Sequence, residues 1–218
     1  MDAHRTPEAA ADPDAERRAR RCTALAAHVR RIVGPQPHRR GMDLGTGTGG
    51  VSPLLVDLFR ELVLVDVDRD ALAQAERAVA GAAAAAATGT QVRTALVDLS
   101  LPGCDTTAIP GSLDVVYSAM ALHHVEDVPR LLGTVAALLR PGGRLVVADL
   151  EPDGGLYHAD RPSFAGHDGF APHQLHDWFE QAGLQPDEHR TAYVDPKVVG
   201  GTLHHVPIFV ATATRPAG

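Results

Sequence analysis

From residue 14 to about residue 33, apolar side chains recur at helical spacing. Cys22, Leu25, Ala26, Val29, Ile32 and Val33 share one face. Six arginines (Arg17, Arg18, Arg20, Arg21, Arg30, Arg31) occupy much of the rest, as a solvated face would, with a lid or anion-contacting patch as the sharper alternative. Gly34-Pro35-Gln36-Pro37 ends this helix. The period then changes. Short apolar runs at 40–44, 61–66, 91–97, 113–118 and 144–150 predict strands, and their near-continuous apolar character suits buried parallel ones. Helical stretches separate them: 50–59, a segment from Asp68 running into the alanine tract at 82–87, and 127–139. A further helix over 172–182 is closed by Gly183. Two late strands, 190–194 and 207–214, flank a loop with Gly200-Gly201 and are expected to pair antiparallel. Strands alternating with helices predict an α/β fold with a doubly wound, mostly parallel sheet and helices on both faces. Residues 1–13 read as a flexible tail, and 14–218 as one domain.

Composition narrows the class of protein. At 218 residues and 44% hydrophobic, the chain has material for one sizeable core. The 20 Lys+Arg against 27 Asp+Glu leave a net charge of −7, which argues against a basic nucleic-acid-binding surface. Cys22 and Cys104 form no disulfide framework and show no metal spacing. Residues 1–21 lack the apolar run of a signal peptide, and no window nears the ~20 apolar residues of a membrane span. The expectation is a soluble, cytoplasmic protein with neither membrane nor nucleic acid as a partner.

The candidate chemistry lies at the ends of the predicted strands, where open parallel sheets bind ligands. Met-Asp-Leu-Gly-Thr-Gly-Thr-Gly-Gly at 42–50 places Asp43 at a strand tip, followed by alternating Gly45, Gly47 and Gly49. Glycines at that spacing let the backbone turn tightly and lie against a ligand. A carboxylate there suits a cationic group better than a pyrophosphate. Asp66, Asp98 and Ser118 end the next three strands. A rival reading exists, because Gly45-x-Gly47-x-x-Gly50 with Asp66 21 residues after Gly45 also fits the nicotinamide dinucleotide fingerprint. Asp43 at the strand tip and the missing Tyr-x-x-x-Lys hydride-site pattern weigh against it.

Five ordered blocks carry a resemblance. They are Asp43-Leu-Gly45-Thr-Gly47-Thr-Gly49, Val63-Leu-Val-Asp66, Asp98 with Leu101-Pro102, Leu113 through Ser118 to His123-His124-Val125, and Leu139-Arg-Pro-Gly-Gly143. Over roughly residues 20–214 the chain resembles the class I S-adenosylmethionine-dependent methyltransferases, in the small-molecule branch that includes ubiquinone/menaquinone C-methyltransferases. The resemblance implies a Rossmann-like, seven-stranded sheet with an antiparallel last strand. It also implies S-adenosyl-L-methionine as cofactor. Gly45, Thr46 and Gly47 would approach the methionine moiety, with Asp43 serving its α-amino group. Asp66 would hold the ribose hydroxyls and Val67 would lie against the adenine. Asp98 would accept from the adenine amino group, Leu99 would cover the ring's other side, and Ser118 would line the methyl-transfer channel.

On the acceptor side His123 is the candidate base, since histidine suits that role where the acceptor must lose a proton. The same resemblance makes the 151–172 insertion, with His158, His167, Tyr157 and Phe164, the place for an acceptor pocket. No metal site is expected, because His123-His124 and His204-His205 lack the i, i+4 spacing that points two imidazoles at one ion. The Asn/Asp-Pro-Pro-Tyr/Phe block tied to nucleobase amine methylation is also missing, leaving a small-molecule acceptor methylated on O, N, C or S. The high Ala, Arg and Pro content suits a GC-rich bacterial genome and a biosynthetic or tailoring role. A cofactor-binding protein with lost or repurposed catalysis is the alternative. Oligomeric state stays open, a homodimer included.

Overall fold

The computed structural model describes residues 12–35, 39–161 and 163–217. Most of the expected tail, and Gln36-Pro37, lie outside the described residues. A seven-stranded sheet organises the chain in the order β3-β2-β1-β4-β5-β7-β6. Its strands are β1 (Arg39–Leu44), β2 (Phe59–Asp66), β3 (Gln91–Leu96), β4 (Leu113–Ala119), β5 (Leu139–Leu150), β6 (Gln185–Val199) and β7 (Thr202–Thr214). β1 to β5 pair in parallel, while β7 runs antiparallel to both β5 and β6. The helices are α1 (Pro13–Val33), α2 (Arg69–Ala85), α3 (Val128–Leu138) and α4 (Pro172–Gln181). This is the Rossmann-like class I arrangement.

The pleat sorts the apolar residues onto two faces. Met42, Val63, Val65 and Val116 join α3 and α4 side chains such as Leu132, Val135, Leu175 and Phe179. Leu62, Leu64, Val115 and Tyr117 join Val29, Leu55, Ala75 and Val79 on the other side. Strand order reverses between β1 and β4, where Asp43 lies opposite Leu64 on one side and Tyr117 on the other. That reversal opens a crevice at the carboxyl ends of the strands.

Two expectations need correction. The helix expected over 50–59 is instead two 3-10 turns, Ser52–Leu54 and Val56–Leu58. The segment is too short for sustained i→i+4 bonding before β2 begins, and Pro53 supplies no N–H donor. The alanine tract, by contrast, continues α2 to Ala85, as a helix tail should. β6 and β7 are far longer than the apolar runs suggested, because a two-residue Gly200-Gly201 turn lets polar residues such as His204 and His205 zip into the pair. β6 is the sheet edge, which accommodates Pro186 and Pro196.

β5 leaves the sheet at Leu150, opposite Ile208, while the β6–β7 ribbon continues beyond it. That ribbon holds α1 in place. The buried Asp195 of β6 takes Arg17 at 2.7 Å and Arg21 at 2.8 Å. The arginines of α1 therefore divide by role. Arg17 and Arg21 turn inward, whereas Arg30 pairs with Asp57 and Arg31 with Glu188 at the surface. No helix among the described residues is long and apolar enough to cross a membrane.

Candidate active site

The loop after β1 crosses to β2, with Gly45 N and Thr46 N both donating to Val65 O at 2.9 and 3.0 Å. Its three alternating glycines all adopt positive φ. Two are packed: a Cβ on Gly45 would sit 2.3 Å from Ala121 Cβ, and one on Gly49 would meet the Ala75 backbone at 2.8 Å. At Gly47 a Cβ would meet nothing within 4 Å, because this residue faces open cavity.

Asp43 is buried at the loop's base. Its Oδ2 accepts from Thr46 Oγ1 at 2.8 Å and Ser52 Oγ at 2.6 Å, and Ser52 in turn bonds the Tyr117 hydroxyl. Burial pushes the Asp43 carboxyl up to about 6, against the pull of the Ser52 and Thr46 hydrogen bonds. A buried carboxylate whose charge is poorly compensated in this way has unspent attraction for a cation. Asp66 accepts from Gly47 N at 2.7 Å and from its own turn, Val67 N and Asp68 N, at 2.8 and 3.0 Å. It thus locks the glycine loop onto β2.

Two adjoining cavities share Gly45, Gly47 and Met120. The larger, about 700 Å3, is bordered by Asp66, Val67, Asp98, Leu99 and Ser118. Val67 is 68% exposed, an apolar side chain standing free at the rim, whereas Leu99 is buried against the opposite wall. Asp98 Oδ1 takes Ser100 N and Oγ at 2.9 and 2.6 Å. Ser118 Oγ donates to Leu44 O at 2.9 Å and braces β4 to β1. The smaller cavity, about 480 Å3, lies between Asp43 and α1, with Arg18, Arg21, Cys22 and Leu25 on its far side. Met120 holds a left-handed φ of 59°, a strained conformation for a non-glycine residue at the junction of the two cavities.

His123 lies one layer behind the cavity wall that His124 lines. Its Nδ1 meets Asp149 Oδ1 at 2.6 Å, which leaves Nε2 as the nitrogen available to another group. Asp149 also takes Leu150 N at 2.7 Å. The 151–172 segment closes over this turn: His167 N donates to His123 O at 2.8 Å, and Phe164 stacks on His158 with centroids 3.6 Å apart. Gly166 is obligatory there, since a Cβ would fall 2.1 Å from His123 O. Burial and the neighbouring His123 hold His124 below its usual range, and the same causes push His158 down to about 4. Tyr157 joins the cluster and receives Arg21 Nη1 on its hydroxyl at 2.7 Å.

All nine cofactor-side residues expected from sequence border this crevice or brace it. Tyr157 and Phe164, expected at the acceptor pocket, surround the histidines, whereas Phe170 and Trp178 pack toward the core. Asp149 escaped the sequence reading. A lone carboxylate inside the otherwise apolar run 145–150 was the available sign, because an unpaired charge is not buried without a partner.

A family described as "Methyltransferase domain" matches residues 15–189. Among curated proteins, an uncharacterized methyltransferase of Schizosaccharomyces pombe is 27% identical over 67% of this chain and 54% of its own length. Trans-aconitate 2-methyltransferase of Deinococcus radiodurans is 31% identical over 57% of this chain and 43% of its own. The chain spans about half the length of the curated relatives it matches. Among solved structures, magnesium protoporphyrin IX methyltransferase from Synechocystis PCC 6803, crystallised with bound SAH, superposes with a TM-score of 0.66 at 15% identity, covering 95% of this chain and 89% of that one.

Proposed function

The chain belongs to the methyltransferase-domain family, and from that membership we propose that it moves a methyl group from S-adenosylmethionine to a small organic acceptor. The observation that carries this reading is the pairing of a buried, incompletely satisfied carboxylate, Asp43, with a glycine loop whose central Cβ position is open cavity. A nucleoside bearing an ammonium group and a sulfonium centre matches that pair; a pyrophosphate does not.

In this reading Gly45, Thr46 and Gly47 receive the methionine moiety and Asp43 takes its ammonium. Asp66 accepts from the ribose hydroxyls, Val67 and Leu99 flank the adenine, and Asp98 accepts from its amino group. Ser118 keeps the channel floor rigid. When bound, S-adenosylmethionine supplies an electrophilic methyl on sulfur. What the chain contributes is alignment and exclusion of water. α1, clamped through Asp195, covers the smaller cavity. His123, held by Asp149, is the acceptor-side base for an acceptor that must shed a proton, and Asp149 is its positioning residue.

The test is thermal denaturation with S-adenosylhomocysteine and, separately, NADH. A ligand at ~100 times its Kd stabilises a fold by about 2.7 kcal/mol. The expected result is a shift with the first only; a shift with NADH alone restores the dinucleotide reading. Asp66→Ala removes a charged hydrogen-bond acceptor worth about 1.5 kcal/mol or more, so calorimetry should show S-adenosylhomocysteine binding roughly tenfold weaker. Unchanged affinity sinks the ribose assignment. His123→Ala should slow turnover by about 10² or more while sparing cofactor affinity, read as S-adenosylhomocysteine release against a panel of small acids, phenols and amines. Unaltered turnover removes His123 as base.

A further inference from the structure

We propose that His123, His124 and His158 together bind one divalent transition ion, zinc by ligand type, with its fourth position open toward the cofactor cavity. One ring nitrogen from each histidine lies within 4.8 Å of the others. A tetrahedral zinc site with Zn–N of ~2.0–2.1 Å sets its nitrogens roughly 3.4 Å apart, so modest ring rotations close the gap.

Three further features point to an ion. His158 Nδ1 is buried and has no hydrogen-bond partner, in a side chain only 6% exposed. Buried polar atoms are rarely left so, and an ion would satisfy it. His123 presents its Nδ1 to Asp149 at 2.6 Å, the carboxylate–histidine arrangement that fixes a metal-binding imidazole with Nε2 outward. The rings are also pre-set: Phe164 stacks on His158 at 3.6 Å, and the His123 and His124 rings stand 4.2 Å apart. Two ligands are buried while His124 lines the larger cavity, which leaves the remaining coordination position facing the ligand space. Three protein ligands and one open position is the pattern of catalytic rather than structural zinc. An acceptor with an oxygen donor would bind there. The spacing of His123 and His124 could not reveal this, because the third ligand comes from a separate segment.

The inference deepens the proposed function and rests on it only in assigning the cavity to cofactor and acceptor. With the ion bound, His123 serves as ligand instead of base: the ion would lower the pKa of an acceptor hydroxyl, whose proton would pass to solvent in the cavity.

The test uses untagged full-length protein, stripped with chelator and titrated with Co2+, then Zn2+. One equivalent of Co2+ should give the visible absorption of a four-coordinate ion, and Zn2+ should displace it. His124→Ala, at an exposed position, should lose at least tenfold in Zn2+ affinity, and Asp149→Asn should lose about 10–100-fold. His176→Ala, in the exposed His176, Asp177 and Glu180 group on α4, should leave the titration unchanged. No stoichiometric absorption, or a His124→Ala titration like the parent's, overturns the site. S-adenosylhomocysteine calorimetry on the same samples separates the two readings. Binding of the homocysteine without Co2+ overturns the metal site alone, whereas Co2+ without the homocysteine supports the ion and overturns the cofactor assignment.

Discussion

Gly47→Val should abolish S-adenosylhomocysteine binding, with affinity reduced by a thousandfold or more in calorimetry, while the fold survives. The prediction depends on the difference between Gly47 and its two neighbours in the loop. A side chain at Gly45 or Gly49 would strike the protein itself, at Ala121 or the Ala75 backbone, so substitution there confounds binding with folding. At Gly47 nothing lies within 4 Å. A valine side chain therefore fits the apo protein and occupies the space reserved for ligand in both cavities. The φ of 54° adds a cost of roughly 1–2 kcal/mol for a non-glycine residue, more for a β-branched one. That strain lowers the melting temperature but leaves a folded protein to titrate. Gly47→Ala separates the contributions: it carries the backbone strain with a single methyl and should retain part of the binding. Full affinity in Gly47→Val would show that no ligand approaches this backbone.

How much of this was legible beforehand follows from which contacts are local. Asp43, Asp66 and Asp98 each close a strand and begin a turn, so the sequence around them carries both the strand and its end. The loop glycines are legible for the same reason. Sequence reasoning fails where the partner is distant. Nothing around Arg21 distinguishes it from Arg20, yet Arg21 reaches Asp195 while Arg20 pairs with Glu16 one helical turn away. His123 and His158 belong to segments joined only by the return of the chain over β5, and their meeting depends on Gly166 letting that return pass close to His123 O. The lengths of β6 and β7 were hidden for another reason. An exposed edge pair is held by its backbone ladder, and its polar side chains carry little apolar signal.

Cofactor affinity should fall as pH drops below about 6, reaching about a hundredfold weaker at pH 4 than at pH 8, and Asp43→Asn should flatten that profile. The cause is the burial that raises the Asp43 carboxyl to about 6, from an ordinary value of 3.8. An ammonium group binds the carboxylate and not the neutral acid, so each pH unit below 6 reduces the competent fraction about tenfold. The stability of the apo protein runs the opposite way. With the folded value raised, Asp43's stabilising contribution is complete below 3.8 and is lost as pH rises through about 6, where a buried, poorly compensated charge forms. An ammonium beside it relieves that cost. The thermal shift produced by S-adenosylhomocysteine should therefore be larger at pH 8 than at pH 5, even though the apo protein gains nothing from Asp43 at the higher pH. Asp43→Asn keeps an acceptor for Ser52 and Thr46 but carries no charge. It should bind S-adenosylhomocysteine as weakly at pH 8 as the parent does at pH 4. Matching pH profiles for parent and variant would remove Asp43 from the ammonium site and assign the pH dependence to the ligand.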